Sequence, residues 1–388
     1  MAYVRLPEFV GTSSSVICTR CVMDDTDPTI SFDDQGMCSY CNHFDGMHNV
    51  LPRSDGYMEL EQIKNEILSR KLKGSNYDCI VGLSGGLDSS FLLHICVKKM
   101  NLKPLVLHVD AGWNTYQAAE NIKSMSNGLN LDLYTEVIEW EEMRAMQLSF
   151  LRAGIPHLDV PQDMAFFSAL YKYAIKNNIK SVLTGANYAT EVIREPEAWG
   201  AYPGNDPWFV KNIVKKFSGQ KLKTFPMVNS LISRTIYRFV YGMKVYKPLN
   251  EISYSKAEAE KILVEQYAWR PFKHKHHESF FTRFLESYYL PLKFKVDRRK
   301  AHFSSLILMN QMSRSTALQQ LETCALSEIE YREDFEFLAD KLEISLNELT
   351  GIMEAAPKLV TDYPSYRRFM LIAAKLQNII SSEKRLYK

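Results

Sequence analysis

The stretch from Tyr77 to Ser90 constrains this chain more than any other. Cys79-Ile80-Val81-Gly82-Leu83 is a short apolar run that reads as a buried strand. Ser84-Gly85-Gly86-Leu87-Asp88-Ser89-Ser90 follows at once, and Phe91 to Val97 continues as the apolar face of a helix. Strand, glycine-rich turn and helix in that order gather backbone amides at the positive end of the new helix. That is a site for an anion such as phosphate. Gly85 and Gly86 can take positive φ and let the backbone approach a ligand. Ser84, Ser89 and Ser90 add hydroxyls, and Asp88 adds a carboxylate suited to magnesium. The turn lacks the lysine of a Gly-Lys-Ser/Thr phosphate loop, so a cation has to come from elsewhere in the chain.

The segments after the loop alternate in period. Pro104–Asp110, Leu131–Ile138 and Ile179–Thr184 read as strands, and Asn114–Asn127, Glu139–Arg152 and Gln162–Asn177 read as helices, the first with an Asn cap. Tyr246–Leu249 reads as a returning strand. Strands alternating with helices predict an α/β fold with a doubly wound parallel sheet. Ligands of such sheets bind beyond the carboxyl ends of the strands. Leu83, Asp110 and Thr184 are therefore expected to meet in one crevice, with His108, Asp110, Gly185 and Asn187 framing a nucleotide.

Ahead of the sheet stand Cys18-Thr-Arg-Cys21 and Cys38-Ser-Tyr-Cys41, two C-x2-C pairs joined by a turn-rich spacer. Two knuckles of two thiolates complete a tetrahedral zinc site with no open position, so the ion is read as structural, with an iron–sulfur cluster as the lesser alternative. A unit this small needs its ion to fold. His43 and His48 read as surface residues. Seven cysteines, four of them clustered, point to reduced thiols and a cytoplasmic setting rather than a disulfide framework. The N-terminus lacks a signal-peptide pattern, and no run of 18 apolar residues predicts a membrane span. The formal net charge of +2 gives no reason to expect nucleic acid as a partner.

Residues 195–245 interrupt the alternation with turn residues, aromatics and basic segments, and read as an insertion that could cover a site. From Ser255 onward the pattern is helical. The expected organisation is a zinc knuckle at 1–50, the sheet domain at 51–254 and a helical region at 255–388. Two C-terminal stretches are dense in chemistry, Phe272–Phe284 and Pro291–His302. Lys275, Arg283, Arg298 and Arg299 are candidates for the cation that the loop lacks. His274, His276 and His277 are expected to lack a matching carboxylate pair elsewhere in the chain, which argues against a metal there.

Ser84-Gly-Gly-Leu-Asp-Ser89 after a strand resembles the PP-loop of ATP pyrophosphatases, of the adenine nucleotide alpha hydrolase-like fold. With the four-cysteine knuckle ahead of it, and with Lys275-His-His-Glu-Ser-Phe-Phe-Thr-Arg283 and Asp297-Arg-Arg-Lys-Ala-His302 behind it, the chain resembles the N-acetyl sugar amidotransferases of bacterial surface polysaccharide biosynthesis. The resemblance spans roughly residues 16–320. It implies that ATP adenylates the amide oxygen of an N-acetyl group on a sugar or nucleotide sugar. Ammonia then displaces AMP to leave an acetamidino group. It also implies ammonia-supplying partners, a glutaminase and a cyclase-like subunit similar to the pair of histidine biosynthesis. On this reading Ser84, Gly85, Gly86, Ser89 and Ser90 cradle the phosphates of ATP, and Asp88 holds Mg2+ or aligns the nucleotide. Lys275 and Arg283 stabilise phosphate charge, Glu278 positions ammonia or the sugar, and Cys18, Cys21, Cys38 and Cys41 hold Zn2+. A tRNA-thiolating PP-loop enzyme is the competing expectation. It generally requires reactive cysteines or an iron–sulfur cluster near the ATP site, and Cys79, Cys96 and Cys324 are poorly placed for that.

Overall fold

The computed structural model describes residues 16–47, 56–230 and 233–372. His48, the start of the expected knuckle region and the end of the expected helical region lie outside the described residues. Five strands form one parallel sheet in the order β3-β2-β1-β4-β5. They are β1 (Cys79–Gly82), β2 (Pro104–Asp110), β3 (Leu133–Val137), β4 (Ser181–Leu183) and β5 (Lys244–Tyr246). The chain steps outward from β1 to β3 and then returns to the far side of β1, pairing Val81 with Leu183. A crevice opens where the winding reverses, at the carboxyl ends of β1 and β4.

Alternation along β1 builds two cores. Cys79, Val81 and Leu83 face α3 (Leu87–His94), α4 (Tyr116–Gly128) and a helix that arrives much later, whereas Ile80 joins Leu105, Leu107, Ala169 and Leu170. The second group seals the sheet against α6 (Val160–Lys176), so the sheet is covered on both faces. Leu105 is fully buried there, and truncation to Ala costs about 2–5 kcal/mol. The expected Asn cap of α4 is instead Thr115, whose hydroxyl accepts from the Ala118 amide at 3.2 Å. Asn114 is turned toward the strand end, where its side-chain amide meets His108 and Asp110.

The insertion is packed into the body of the protein, and its first residues, Glu195 and Gly200 to Tyr202, line a cavity. α8 (Pro207–Phe217) buries Phe209, Val210, Ile213 and Val214 against α5 (Trp140–Ala153). Lys215 and Lys216 fall in its last turn, where they complement the helix dipole. Beyond β5 the chain is helical, as expected: α9 (Lys256–Tyr267), α10 (Phe280–Phe284), α11 (Leu290–Phe294), α12 (Arg299–Leu308), α13 (Arg314–Leu321), α14 (Glu328–Lys341) and α15 (Leu346–Glu354). A π-turn, Leu285–Tyr289, joins α10 to α11.

The N-terminal knuckle packs on these helices. The Val22 amide donates to Ser304 Oγ at 3.0 Å, and Arg314 donates to the carbonyls of Cys21 and Cys18 at 2.9 and 2.8 Å. Lys300, on α12, forms a buried ion pair with Asp24. Trp199 Nε1 donates to the Thr26 carbonyl at 3.2 Å.

Candidate active site

The four knuckle cysteines are wholly buried. Their Sγ atoms all lie within 4.8 Å of one another, with Cys18–Cys41 at 3.8 Å and Cys21–Cys38 at 3.6 Å. Four sulfurs at about 2.3 Å from one ion form a tetrahedron with edges of about 3.8 Å, so the set fits a single tetrahedral metal. Amides of Arg20, Met23 and Cys38 donate to these sulfurs, which favours the thiolate form. His43 is exposed, as expected.

The loop after β1 is shaped from behind. Asn121 Nδ2 and Trp269 Nε1 both donate to the Gly85 carbonyl, at 3.1 and 3.0 Å, and turn it away from the crevice. Gly85 has φ +85°, and a Cβ there would lie 2.6 Å from the Ala118 carbonyl oxygen. Gly86 has φ −73°, so the expected positive φ holds for Gly85 and not for Gly86. Gly86 is needed for a different reason: a Cβ would lie 2.6 Å from Glu278 Oε1. Gly185, just after β4, packs less tightly, with a Cβ there lying 3.0 Å from the Asp88 carbonyl carbon. Ser84 and Ser89 hydroxyls are 3.1 Å apart and line the crevice. Ser90 is fully buried and lines neither cavity, because its place on α3 faces the core.

The missing cation comes from the segment before α10. The Thr115 amide donates to the Glu278 carbonyl at 3.0 Å, and the Phe280 amide donates to the Trp113 carbonyl at 2.7 Å. These bonds tie residues 278–280 to the turn after β2 and swing Lys275 and Glu278 over the loop. Lys275 Nζ sits 3.1 Å from Asp88 Oδ2, 2.6 Å from Glu191 Oε1 and 3.0 Å from Thr190 Oγ1. Burial alone would weaken the ammonium, but Asp88 and Glu191 outweigh it and raise its pKa. Burial likewise pushes Asp88 up, and Lys275 and the Tyr254 hydroxyl more than reverse that. Tyr254 donates to Asp88 Oδ1 at 2.6 Å. Both Asp88 oxygens are therefore engaged, and in this geometry the residue anchors Lys275 rather than presenting an open magnesium ligand. Glu278 Oε1 accepts from Ser84 Oγ at 3.3 Å, and burial raises its carboxyl pKa.

Two cavities meet here. A pocket of about 200 Å³ is lined by Ser84, Gly86, Asp88, Ser89, Gly185 and Lys275. A chamber of about 740 Å³ adjoins it, within the range of about 300–1,000 Å³ typical of ligand sites. His108 and Asn187 line the chamber, with His108 Nδ1 2.9 Å from the Leu83 carbonyl and Asn187 capping the Thr190 amide at 2.8 Å. Asp110 lines neither cavity; its carboxylate accepts from the Gly112 amide at 2.8 Å and shapes the turn. Arg283 also stays outside both. It pairs with Asp334 on α14, the helix that packs against α10.

The far wall of the chamber is a charged network that sequence spacing did not reveal. Arg298 bridges Asp159, Glu195 and Glu286 at 3.4, 3.1 and 3.2 Å. His276 Nδ1 lies 3.0 Å from Glu286 Oε1. The carboxylate partners that the histidines lack in sequence are thus supplied across the fold. Arg299, in contrast, is held by Asp297 at 2.7 Å and by carbonyls of Gln320 and Thr323. No local signal marks Glu195 or Glu286 as site residues, since Arg298 draws them together from separate segments of the chain.

Residues 278–377 match the family model described as "LPS biosynthesis protein WbpG-like, C-terminal domain". The resemblance to a surface-polysaccharide family is met by that match, which begins at Glu278 in the site itself. A curated relative, "Uncharacterized protein MJ1599" of Methanocaldococcus jannaschii, is 28% identical over 130 residues, covering 31% of this chain and 45% of its own length. An NH3-dependent NAD synthetase from Campylobacter jejuni is similar in structure at 20% identity and TM-score 0.27, over 34% of this chain and 58% of that one. The U34-tRNA thiolase NcsA from Methanococcus maripaludis, with its [4Fe-4S] cluster, shows 13% identity and TM-score 0.32 over 79% and 88% of the two chains. Among the described residues, no helix is long and apolar enough to cross a membrane.

Proposed function

We propose that this WbpG-like chain is an ATP-dependent, AMP-forming amidotransferase acting on an N-acetylated sugar or nucleotide sugar of surface glycan assembly. The observation that carries the reading is the convergence of Asp88, Lys275 and Glu278 on a glycine-rich loop beside a second, larger cavity. The loop amides and the Ser84 and Ser89 hydroxyls suit the pyrophosphate end of ATP. Magnesium arrives as part of the MgATP substrate. Lys275 neutralises charge on the phosphates and is kept in place by Asp88 and Glu191. The chamber holds the sugar. Its carboxylates accept hydrogen bonds from hydroxyl groups and tolerate the positive charge of an imidate or amidinium.

The N-acetyl oxygen attacks the α-phosphorus and pyrophosphate leaves. Ammonia then adds to the activated carbon and AMP leaves with the original amide oxygen. Glu278 stands between loop and chamber and orients the incoming ammonia. Ammonia is supplied by glutaminase and cyclase-like partners, and ammonium chloride substitutes for them in vitro. The knuckle holds one structural zinc ion, because four wholly buried thiolates at tetrahedral spacing exclude a substrate position.

The test is product analysis with ATP, magnesium, ammonium chloride and a panel of N-acetylated nucleotide sugars. The expected product differs from its substrate by replacement of one oxygen with NH, with equal AMP and pyrophosphate. Co-purified RNA that becomes thiolated, with no sugar-dependent AMP, would assign the chain to tRNA modification instead.

A further inference from the structure

Glu195, His276 and Glu286 each bring one donor atom within 4.8 Å of the others, a spacing that a divalent ion could use. The Arg298 guanidinium already takes that space, contacting Glu195 and Glu286 at 3.1 and 3.2 Å. A fixed cation repels a second one, so the cluster is an ion-pair network, and its significance lies in what it does to His276.

His276 lines both the small pocket and the chamber. Its backbone is in the left-handed region, with φ +63°, an uncommon conformation for a residue with a Cβ. That turn sets the ring on the boundary between the cavities. Nδ1 is committed to Glu286, which leaves Nε2 as the nitrogen for a ligand. The half-exposed ring is only partly desolvated, which favours its neutral form, but Glu286 outweighs this and raises His276 to about 10. Lys275 opposes the charge, and Glu278 supports it. Across the network, Asp159, Asp163 and Glu195 also face the ring, with Arg298 offsetting them.

We propose that His276 is a further catalytic residue, a cationic hydrogen-bond donor whose Nε2–H stabilises the α-phosphoryl oxygens during adenyl transfer, with Glu286 as its positioning residue. This rests on the adenylation reading above. The reacting bond joins a ligand of one cavity to a ligand of the other, so it lies where they meet, beside His276. The bond from acyl oxygen to α-phosphorus forms. The bond from α-phosphorus to the bridging oxygen breaks, and its electron pair leaves with pyrophosphate. His276 keeps its proton throughout.

The experiment compares wild type, His276→Gln and Glu286→Gln as full-length, metal-loaded proteins that pass a thermal-melt check. AMP release is measured with MgATP, ammonium chloride and the nucleotide sugar that the product analysis identifies. His276→Gln is expected to lower kcat on the order of 10²-fold, the effect of removing one donor from developing charge. KM for ATP should stay within about threefold. Glu286→Gln lets His276 lose its proton, so its kcat acquires a falling limb between about pH 6 and 8 that wild type lacks. A wild-type kcat in His276→Gln, or a Glu286→Gln profile parallel to wild type, overturns the assignment.

The contact is read separately by NMR of isotope-labelled histidine with the unreactive analogue α,β-methylene-ATP. A shifted His276 Nε2 resonance supports the proposal, and an unchanged one at saturating analogue overturns it. Wild-type protein that forms no AMP, while this resonance still shifts, tells against adenylation of a sugar and leaves the nucleotide contact standing.

Discussion

Lys300→Met should destabilise the whole chain, because it leaves Asp24 charged and unpaired in the interior. The Lys300 side chain is 4% exposed and that of Asp24 is 0%. Removing one partner of a buried ion pair costs about 3–5 kcal/mol. The Thr26 amide and hydroxyl still donate to Asp24, at 3.3 and 2.5 Å. That partial compensation places the expected loss at the lower end, about 3 kcal/mol. With an unfolding entropy of about 2.1 cal/mol/K per residue, 388 residues give about 0.8 kcal/mol/K, so Tm should fall by about 4 °C. Asp24→Asn in the same background removes the orphan charge while keeping the Thr26 bonds, and should recover more than half of that loss. The assay is thermal unfolding of metal-loaded wild type, both single variants and the double variant, with metal content measured on each. The shift should be insensitive to salt, since the pair is shielded from solvent. A Lys300→Met midpoint within about 1 °C of wild type, or strict additivity of the two substitutions, refutes the reasoning. The result also bears on the site: Lys300 lies two residues beyond Arg298, so the ion pair ties the knuckle to the turn that presents Arg298 to the chamber.

Other outcomes can be checked alongside. Asp88→Asn should abolish AMP formation while the metal content of the knuckle stays at wild-type level, measured by nucleotide chromatography and elemental analysis; normal AMP release would remove the central role of the loop. Gly85→Ala should destabilise by at least about 1–3 kcal/mol, because its φ of +85° and the Ala118 backbone both resist a Cβ. Gly86→Ala meets only the mobile end of Glu278, so it should melt near wild type yet bind ATP poorly; equal melting points for the two variants would contradict this. Buried His157 is pushed down to about 3, first by burial and then by Arg298 and Arg367. A folded-state pKa below the unfolded value means that the unfolded chain binds the extra proton. Stability from this group is therefore complete above the unfolded pKa of about 6.5 and is lost as pH falls from there toward 3. His157→Gln should flatten the acid side of a Tm-against-pH curve, and an unchanged slope would count against the assignment.

Much of the nucleotide half of the site is legible in sequence because its chemistry is local. A strand, two glycines and a helix start within one short segment fix where amides and hydroxyls go, and β2 runs over the expected Pro104–Asp110. The cysteine pairs are legible for the same reason: two short knuckles carry their own geometry. Local reading fails where a residue's role depends on which face of an element the fold uses. Ser90 was expected in the cradle, and the helix turns it into the core. Arg283 was expected on phosphate, and α10 turns it to Asp334.

Sequence by itself thus determined the loop, the doubly wound sheet and the four-cysteine set, since short-range spacing dictates all three. Tertiary structure alone decided which of the four candidate cations lies beside the loop, that Glu286 and Arg298 surround His276, and that the knuckle rests on α12. Those contacts join residues from about ten to nearly three hundred positions apart. Their partners are selected by packing of helices that carry no mark of one another, and charges so placed interact strongly only after the fold has excluded water from between them.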